Sequence, residues 1–321
     1  MSLFASWLAS PPPDAAIEIA PERVSVAVVG ERSRGLVVQA YASEPLPPGA
    51  VVTSLTSLNI HNRTLVAEAL RTVLDRAGVR PRRVALVIPD LTAKVSLVRF
   101  DTVPARREDL DQLVRWQVKK ASPFPIEDAA ITWTPAARNA DGSAEFLVVS
   151  ARRDIVAEYE AVCDQAKMYA GLVDLSTLSI VNLILGGKDV PQVDWLVVHL
   201  RPDYTSIVIM RGEHVIFFRN RPEGDQASIA DLVHQTAMYY QDRLQGQRFA
   251  RAFLGGSGRV GGAVDSARRN LEERLGVSVE AIDPSRTAAL TDRISATPDL
   301  MDVLGPLVGM AFRTRRETVT A

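Results

Sequence analysis

The stretch VDWLVVHLRPDYTSIVIMRGEHVIFFRNRP, residues Val193 to Pro222, decides the fold of this chain. Its apolar runs are rich in Val, Ile and Phe, and turn residues interrupt them at Arg201–Asp203 and at Arg211–Glu213. Runs of β-branched and aromatic residues separated by Pro, Gly and Asp are typical of antiparallel strands. The stretch therefore predicts a three-stranded antiparallel meander.

The residues after the meander predict a helix, a strand, a helix, a strand and a last helix: Ile229–Leu244, Arg251–Leu254, Val260–Leu275, Val277–Ala281 and Asp299–Arg313. Between the last two elements, the polar residues 283–298 are interpreted as a connection. The same order of elements is predicted once before. Its strands are Ala15–Ala20, Val24–Val29, Leu36–Ala42, Val84–Ile88 and Leu172–Asp174, and its helices are Thr64–Ala77, Asp154–Ala170 and Leu175–Leu185. An architecture that occurs twice predicts two α/β halves with a cleft between them, where ligands of such open sheets bind.

A separate unit interrupts the first half. Strands are predicted at Lys94–Arg99, Ala129–Pro135 and Phe146–Ala151, with an amphipathic helix at Arg107–Ala121. Pro123 and Pro125 end this helix because each lacks an amide donor and restricts the residue before it. The predicted division is an N-terminal arm (1–13), a first domain (14–92 and 153–189), an inserted βαββ subdomain (93–152) and a second domain (190–321).

Composition limits the classes of function. Of the 321 residues, 47% are apolar, and 37 basic residues stand against 38 acidic ones, so nothing favours nucleic acid as a partner. Apolar runs are too short for a membrane-spanning helix, and no direct membrane insertion is expected. The single cysteine, Cys163, excludes an internal disulfide and fits a reducing compartment. No spacing of His or Cys indicates a metal or nucleophilic catalytic site.

Five stretches of the chain together resemble one known family, the PilM family of type IV pilus assembly proteins, within the actin-like ATPase superfamily. The five stretches are Trp116–Asp128 with its Pro-Phe-Pro-Ile-Glu turn, Phe146–Arg153, Met238–Tyr240, Phe253–Arg259 and Val308–Arg313. The similarity extends over nearly the whole chain, from Asp14 to Arg313.

The resemblance implies an α/β fold of the actin-like ATPase type, with two RNase H-like domains around a cleft and an inserted βαββ subdomain in the first half. It implies a cytoplasmic protein held at the inner face of the inner membrane through its partners. Such a protein is expected to bind the short N-terminal tail of the inner-membrane protein PilN in a groove beside the inserted subdomain, and to connect it to components of the pilus motor. We predict the groove near Trp116, Phe124 and Ile126, although Phe124 and above all Trp116 can equally be read as core residues.

The resemblance also implies ATP and magnesium in the cleft, but the phosphate loops depart from the family. Where the family has a glycine-rich first loop, this chain has Ala20 and Pro21, and Pro21 has no amide to donate to a phosphate. In the second loop, His199 replaces the aspartate that would position magnesium-bound water, and Arg201 replaces a glycine. Magnesium prefers oxygen ligands to imidazole.

Some elements of the nucleotide site remain. The third element, Gly255-Gly256-Ser257-Gly258, is intact. Glu18 still places a carboxylate at the start of the first loop, and Thr205 still places a hydroxyl in the second loop. Each lost phosphate hydrogen bond costs about 1–3 kcal/mol, and Arg23 or Arg201 could offset this loss by pairing with phosphate. The sequence therefore predicts a degenerate nucleotide site, with hydrolysis not expected and the binding of ATP and Mg²⁺ left open.

Two classes of function follow. The first is a scaffold that binds a peptide from a membrane partner. The alternative is an ATP-dependent phosphotransferase, or an ATP-switched protein, of the same superfamily. It would need an acidic base and a magnesium ligand, for which Glu18, Asp90 or Asp203 are candidates that no motif singles out.

Overall fold

The computed structural model describes residues 13–33, 35–138, 141–187, 189–223, 229–256, 262–291 and 294–320. Residues 1–12 of the predicted N-terminal arm lie outside these ranges, as do Ser257 and Gly258. Three β-sheets and seven α-helices make up the described part of the chain.

The first sheet contains six strands in the order β14-β3-β2-β1-β4-β8. Its strands are β1 (Ala15–Ala20), β2 (Arg23–Arg32), β3 (Gly35–Pro45), β4 (Arg83–Ile88), β8 (Tyr169–Leu175) and β14 (Ala288–Leu290). β1, β2 and β3 form an antiparallel meander, while β4 and β8 are added in parallel on the other side of β1.

The second sheet contains five strands in the order β11-β10-β9-β12-β13. They are β9 (Asp194–Leu200), β10 (Tyr204–Arg211), β11 (His214–Pro222), β12 (Arg251–Gly255) and β13 (Val279–Ala281). Again the first three strands form an antiparallel meander, and the last two run parallel to β9 and to each other. Apart from β14, the two sheets share one topology, which confirms the predicted repeat of architecture.

The third sheet is antiparallel, in the order β5-β7-β6. It consists of β5 (Ala93–Phe100), β6 (Ala129–Arg138) and β7 (Ala144–Arg152). Helix α2 (Arg107–Lys119) connects β5 to β6 and packs through Leu110, Val114 and Val118 on one face of this sheet. Residues 93–152 thus follow the predicted order of strand, helix, strand, strand.

The other helices surround the first two sheets. They are α1 (Arg63–Ala77), α3 (Arg153–Gln165), α4 (Ser176–Leu185), α5 (Ile229–Leu244), α6 (Gly262–Leu275) and α7 (Pro298–Thr320). Helix α1 begins at Asn62, whose side chain accepts a hydrogen bond from the Leu65 amide, and it ends at Gly78 in the left-handed conformation.

One apolar core connects the two halves. It joins Val29 and Val87 of the first sheet to Val197 and Val208 of the second sheet, together with residues of α4 and α7. Helix α7 contains Pro306, and its Gly309 lets it approach α4 so closely that a Cβ there would lie 1.8 Å from the Ser179 carbonyl oxygen. Tertiary packing therefore holds this helix, as its poor helix propensity predicts.

The interpretation of residues 283–298 as a plain connection is wrong. β14 lies within it and pairs in parallel with β3 at the edge of the first sheet. Three residues are too short a run to show a strand period, and the pairing depends on an edge that only the folded first half provides. A strand from the predicted second domain (190–321) thus completes the sheet of the first.

Within the residues described, no helix has the length and apolarity needed to cross a bilayer.

Candidate functional site

Four charged side chains meet where the two halves face each other. Glu18 lies in β1, Glu22 and Arg23 lie at the β1–β2 turn, and Arg201 lies at the β9–β10 turn. Arg23 donates to Glu18 and to Glu22, each at 2.8 Å. Arg201 Nη2 lies 2.9 Å from Glu22 Oε1 and 3.3 Å from Glu18 Oε1. We call these four residues the cleft cluster.

The cleft cluster is balanced in charge, with two carboxylates and two guanidinium groups, and all its members are buried except the partly buried Glu22. Burial by itself would lower the pKa of Arg201, but the Glu18 and Glu22 carboxylates raise it above its usual range, so this guanidinium stays charged. Buried ions are stable only when they are paired and hydrogen-bonded in this way. Arg23 and Arg201, considered as residues that could offset the loss by pairing with phosphate, are instead engaged with carboxylates of their own chain.

A second polar group lies beside the cleft cluster. The Asp90 carboxylate, just after β4, accepts hydrogen bonds from the Thr177 amide at 3.0 Å and from the Ser206 hydroxyl at 2.5 Å. The Thr177 hydroxyl also contacts Asp90, and it lies 2.7 Å from His199 Nδ1. The single hydroxyl proton of Thr177 is directed to Asp90, so the imidazole Nδ1–H donates to Thr177. These contacts join β4 and α4 of the first half to β9 and β10 of the second.

Burial shifts the pKa values of His199 and Asp90. Burial, then the positive charges of Arg201 and Arg23, hold the pKa of His199 well below its ordinary value, so the imidazole is neutral. Burial raises the pKa of the Asp90 carboxyl, against the hydrogen bonds from Ser206 and Thr177. Asp90 is thus enclosed by partners from its own chain.

Gly255 and Gly256, which were predicted to lie close to a nucleotide, lie close to other residues of this chain. Gly256 has φ +76°, and a Cβ on it would lie 1.7 Å from the Leu200 carbonyl oxygen. Its amide donates to Asp302 Oδ1 of α7 at 3.1 Å. A Cβ on Gly255 would lie 2.6 Å from the Ile282 side chain. Thr205, at the start of β10, is buried directly after the β9–β10 turn.

A groove of about 540 Å³ lies between the third sheet and the first half. One wall is formed by β6 and β7 and the other by β8 and α4, with the β10–β11 turn and the end of α7 closing the sides. Most lining residues are apolar, among them Ala130, Leu147, Val149, Leu172, Leu175, Leu178 and Met210. A polar pair, Asp174 with Arg313, also lines it, and their side chains form an ion pair.

The groove also exposes a strand edge. In the order β5-β7-β6, only one side of β6 is paired among the strands described, and residues 132–136 of β6 line the groove. Unpaired backbone groups of an edge strand can pair with an added peptide strand.

The predicted partner residues lie away from this groove. Side chains alternate between the two faces of a strand. In β7, Phe146 and Val148 pack under α2, whereas Leu147 and Val149 line the groove on the opposite face. The sequence contains a signal for a groove on the second face of β7. This strand is apolar on both faces, and both faces must therefore be covered.

The three predicted partner residues differ in exposure. The reading of Trp116 as a core residue is wrong, because this side chain is 58% exposed on α2, with the Lys120 ammonium 4.6 Å from its ring centroid. Phe124 is buried, and Ile126 packs partly buried against the core under α2. None of the three lines the groove.

Comparison with known proteins agrees with this architecture. A family model described as type IV pilus assembly protein PilM matches residues 16–242. Among solved structures, a chain of a PilM-PilN type IV pilus biogenesis complex superposes with a TM-score of 0.79 at 17% identity, covering 95% of this chain and 99% of that chain.

Two further structures are more distant. A Bacteroides thetaiotaomicron protein with an actin-like ATPase fold and unknown function has a TM-score of 0.49 at 9% identity, covering 95% of this chain and 98% of its own. The ethanolamine utilization protein EutJ from Carboxydothermus hydrogenoformans has a TM-score of 0.48 at 9% identity, covering 94% and 90%. The strand order of the two large sheets and the 0.79 superposition confirm the predicted α/β fold of the actin-like type.

Proposed function

This chain belongs to the PilM family of type IV pilus assembly proteins, and from this premise we propose that it is a cytoplasmic scaffold that holds the N-terminal tail of a PilN-like inner-membrane protein. The structure that it resembles over 95% of its length is described as a PilM-PilN complex. We place the tail in the groove between the third sheet and the β8–α4 wall. The groove with its free strand edge is the observation that carries this proposal.

The chemistry of the groove suits an extended, apolar peptide. Its volume of about 540 Å³ lies within the range of ligand pockets. Apolar side chains of the peptide would pack against Leu147, Val149 and Leu178, while its backbone would pair with the free edge of β6. A tail bound in this way would attach the protein to the inner face of the inner membrane through its partner.

We further propose that the nucleotide site in the cleft is degenerate. Phosphate would meet the carboxylates of Glu18 and Glu22, whose guanidinium partners are already engaged. Pro21 offers no amide, and the neutral imidazole of His199 is a poor magnesium ligand. The residues present therefore do not fit a magnesium-bound phosphate.

Of the acids considered for the phosphotransferase alternative, Glu18 is paired with Arg23 and Asp90 is enclosed by Thr177 and Ser206. Asp203 accepts a hydrogen bond from Thr53 through Oδ2, while its Oδ1 has no hydrogen-bond partner among the residues described, and no motif makes it a base.

Calorimetry tests both proposals on the purified chain. We expect a synthetic peptide of a PilN-like cytoplasmic N-terminus to bind, and ATP with Mg²⁺ to give no heat and no turnover above that of the Glu18→Ala variant. Failure of the wild-type chain to bind the peptide would overturn the scaffold proposal. Tight, magnesium-dependent binding of ATP would overturn the degenerate site and restore the enzymatic or switched alternative.

A further inference from the structure

Residues 174–178, which we call the β8–α4 junction, lie between the cleft and the groove. Asp174, Leu175 and Leu178 line the groove. The two residues between them, Ser176 and Thr177, are directed to the other side and are buried in the cleft. One short segment therefore forms part of the groove wall and part of the cleft at the same time.

The cleft side of the junction is held by both polar groups. The Ser176 hydroxyl donates to Glu18 Oε1 of the cleft cluster at 3.2 Å. The Thr177 amide donates to Asp90 Oδ1 at 3.0 Å, and the Thr177 hydroxyl joins Asp90 to His199. Both residues lie in the first turn of α4, so these bonds fix the start of the helix and its rotation about its own axis.

The partners of the junction come from both halves. Glu18 is held by Arg23 of its own half and approached by Arg201 of the second half. Asp90 receives a hydrogen bond from Ser206 of the second half. Of the junction's own bonds, the contact of Thr177 with His199 reaches the second half directly. The cleft cluster adds an indirect connection, because Arg201 of the second half pairs with Glu18 and Glu22. The position of the junction is thus linked to how the two halves meet.

We propose that the cleft cluster acts as a built-in substitute for a bound nucleotide, and that Ser176 and Thr177 are positioning residues which couple the contact between the two halves to the peptide groove. The proposal rests on the proposed binding of a tail in that groove. It makes the affinity for the tail independent of nucleotide. Rotation of α4 would displace Leu175, the last residue of β8, and Leu178, in the first turn of α4, so loss of the cleft bonds weakens tail binding at a distance.

The test compares two Thr→Val variants of the full chain. Thr177→Val removes the hydroxyl that joins Asp90 to His199 and keeps the shape of the side chain. Thr236→Val is the matched control, because this hydroxyl is also buried in a helix, α5, where it donates to the Leu232 carbonyl at 2.8 Å. Affinity for the PilN-type peptide is measured by calorimetry, and the protection of residues 172–178 by hydrogen exchange.

We expect Thr177→Val to weaken peptide binding about tenfold and to increase exchange in the junction, since the variant loses a buried hydrogen bond that positions the groove wall. Thr236→Val should lower the melting temperature without either change. ATP with Mg²⁺ should alter neither affinity nor exchange in the wild-type chain. Wild-type affinity and wild-type exchange in Thr177→Val would overturn the inference while leaving the scaffold proposal intact.

Two further arms cover the remaining outcomes. If Thr177→Val does not fold, Ser176→Ala removes only the 3.2 Å bond to Glu18, and we expect a smaller loss of affinity in the same direction. If the wild-type chain binds no peptide, the scaffold proposal fails. The exchange of residues 172–178 in Thr177→Val, compared with Thr236→Val, then still decides whether the cleft bonds position the groove wall.

Discussion

The cleft and the groove are both formed between parts of this chain, yet their contents are opposite. The cleft contains a buried, charge-balanced cluster, in which Glu18 and Arg23 are each 1% exposed. The groove has mostly apolar walls around about 540 Å³ and a free strand edge. The charged side chains of the cleft cluster pair with one another. The groove instead presents apolar residues and one unpaired strand edge among the strands described.

The difference is the basis for placing the proposed ligand in the groove and not in the cleft. A polar site that binds phosphate must hold its donors free until the ligand arrives. In the cleft, those donors are engaged by carboxylates a few residues away or in the facing half. The apolar walls of the groove pack partly against the neighbouring cores, but about 540 Å³ between them is unfilled. This space is the reason for proposing ligand binding there. Five measurements would break or sharpen this contrast.

The largest effect is expected from the cluster itself. Arg201→Met leaves Glu18 and Glu22 with one guanidinium instead of two. Breaking a buried ion network by removing one partner costs about 3–5 kcal/mol in the free energy of unfolding. Arg80→Met is the control, because both members of its pair with Asp75 are exposed, at 72% and 64%, and its loss should cost at most about 1 kcal/mol. Equal urea midpoints for the two variants would contradict the description of the cluster as structural.

A similar effect is expected where the glycine turn meets the chain. Gly256→Ala should destabilise the protein by about 3 kcal/mol or more, since its Cβ would overlap the Leu200 carbonyl. In Gly276→Ala the backbone is also left-handed, at φ +62°, but no atom lies within 4 Å, so about 1 kcal/mol is expected. Thermal unfolding of both variants measures the difference. A mild Gly256→Ala would mean that this turn has room for a ligand after all.

A charged substitution in the groove tests whether the peptide binds there. Val149→Glu places a carboxylate on the apolar wall of the groove. We expect binding of the PilN-type peptide to weaken about a hundredfold, because apolar side chains of the peptide would bury this charge and displace the water bound to it. Circular dichroism and the melting temperature check that the variant folds. Unchanged affinity in a folded Val149→Glu would place the tail elsewhere.

Because His199 is neutral in the folded protein, we predict that stability depends on pH. The pKa of His199 is lowered in the folded state by burial and by Arg201 and Arg23. The unfolded chain, with a histidine pKa of about 6.5, then binds more protons, so stability falls as the pH drops below about 6.5. The slope approaches about 1.4 kcal/mol per pH unit.

His199→Gln should remove this slope, and the exposed His234→Gln should keep it. The raised pKa of Asp90 acts in the opposite sense, since its contribution to stability is lost as the pH rises through the folded value. The wild-type and control curves contain that contribution equally, so the comparison isolates the imidazole. An unchanged slope in a folded His199→Gln would show that the imidazole is not the group responsible.

The smallest effect is expected at the exposed tryptophan. Trp116→Ala should change the affinity for the peptide less than about twofold, because Trp116 lies on α2, on the face of the third sheet away from the groove. A large loss of affinity would instead support the groove predicted from the sequence near Trp116, Phe124 and Ile126. Calorimetry with the same peptide decides between the two locations.

Much of the fold could be predicted because it depends on local patterns. The meander from Val193 to Pro222 and the helix Ile229–Leu244 match the structure closely, since alternating apolar strands, turn residues and helical periodicity are properties of short windows. The short strand β14 was missed because nothing within residues 288–290 distinguishes it from a loop. Its partner, β3, lies about 250 residues earlier in the chain.

The candidate sites divide in the same way. The sequence by itself determined the fold class, the family and the replacement of phosphate-loop residues such as Pro21 and His199, because these are identities at positions in a motif. Only the tertiary structure decided that Arg201 pairs with Glu22 across 179 positions of sequence. It alone decided that the groove lies on the face of β7 opposite α2. Which charge meets which, and which apolar face stays uncovered, are set by packing between distant segments, and no local window of sequence contains that information.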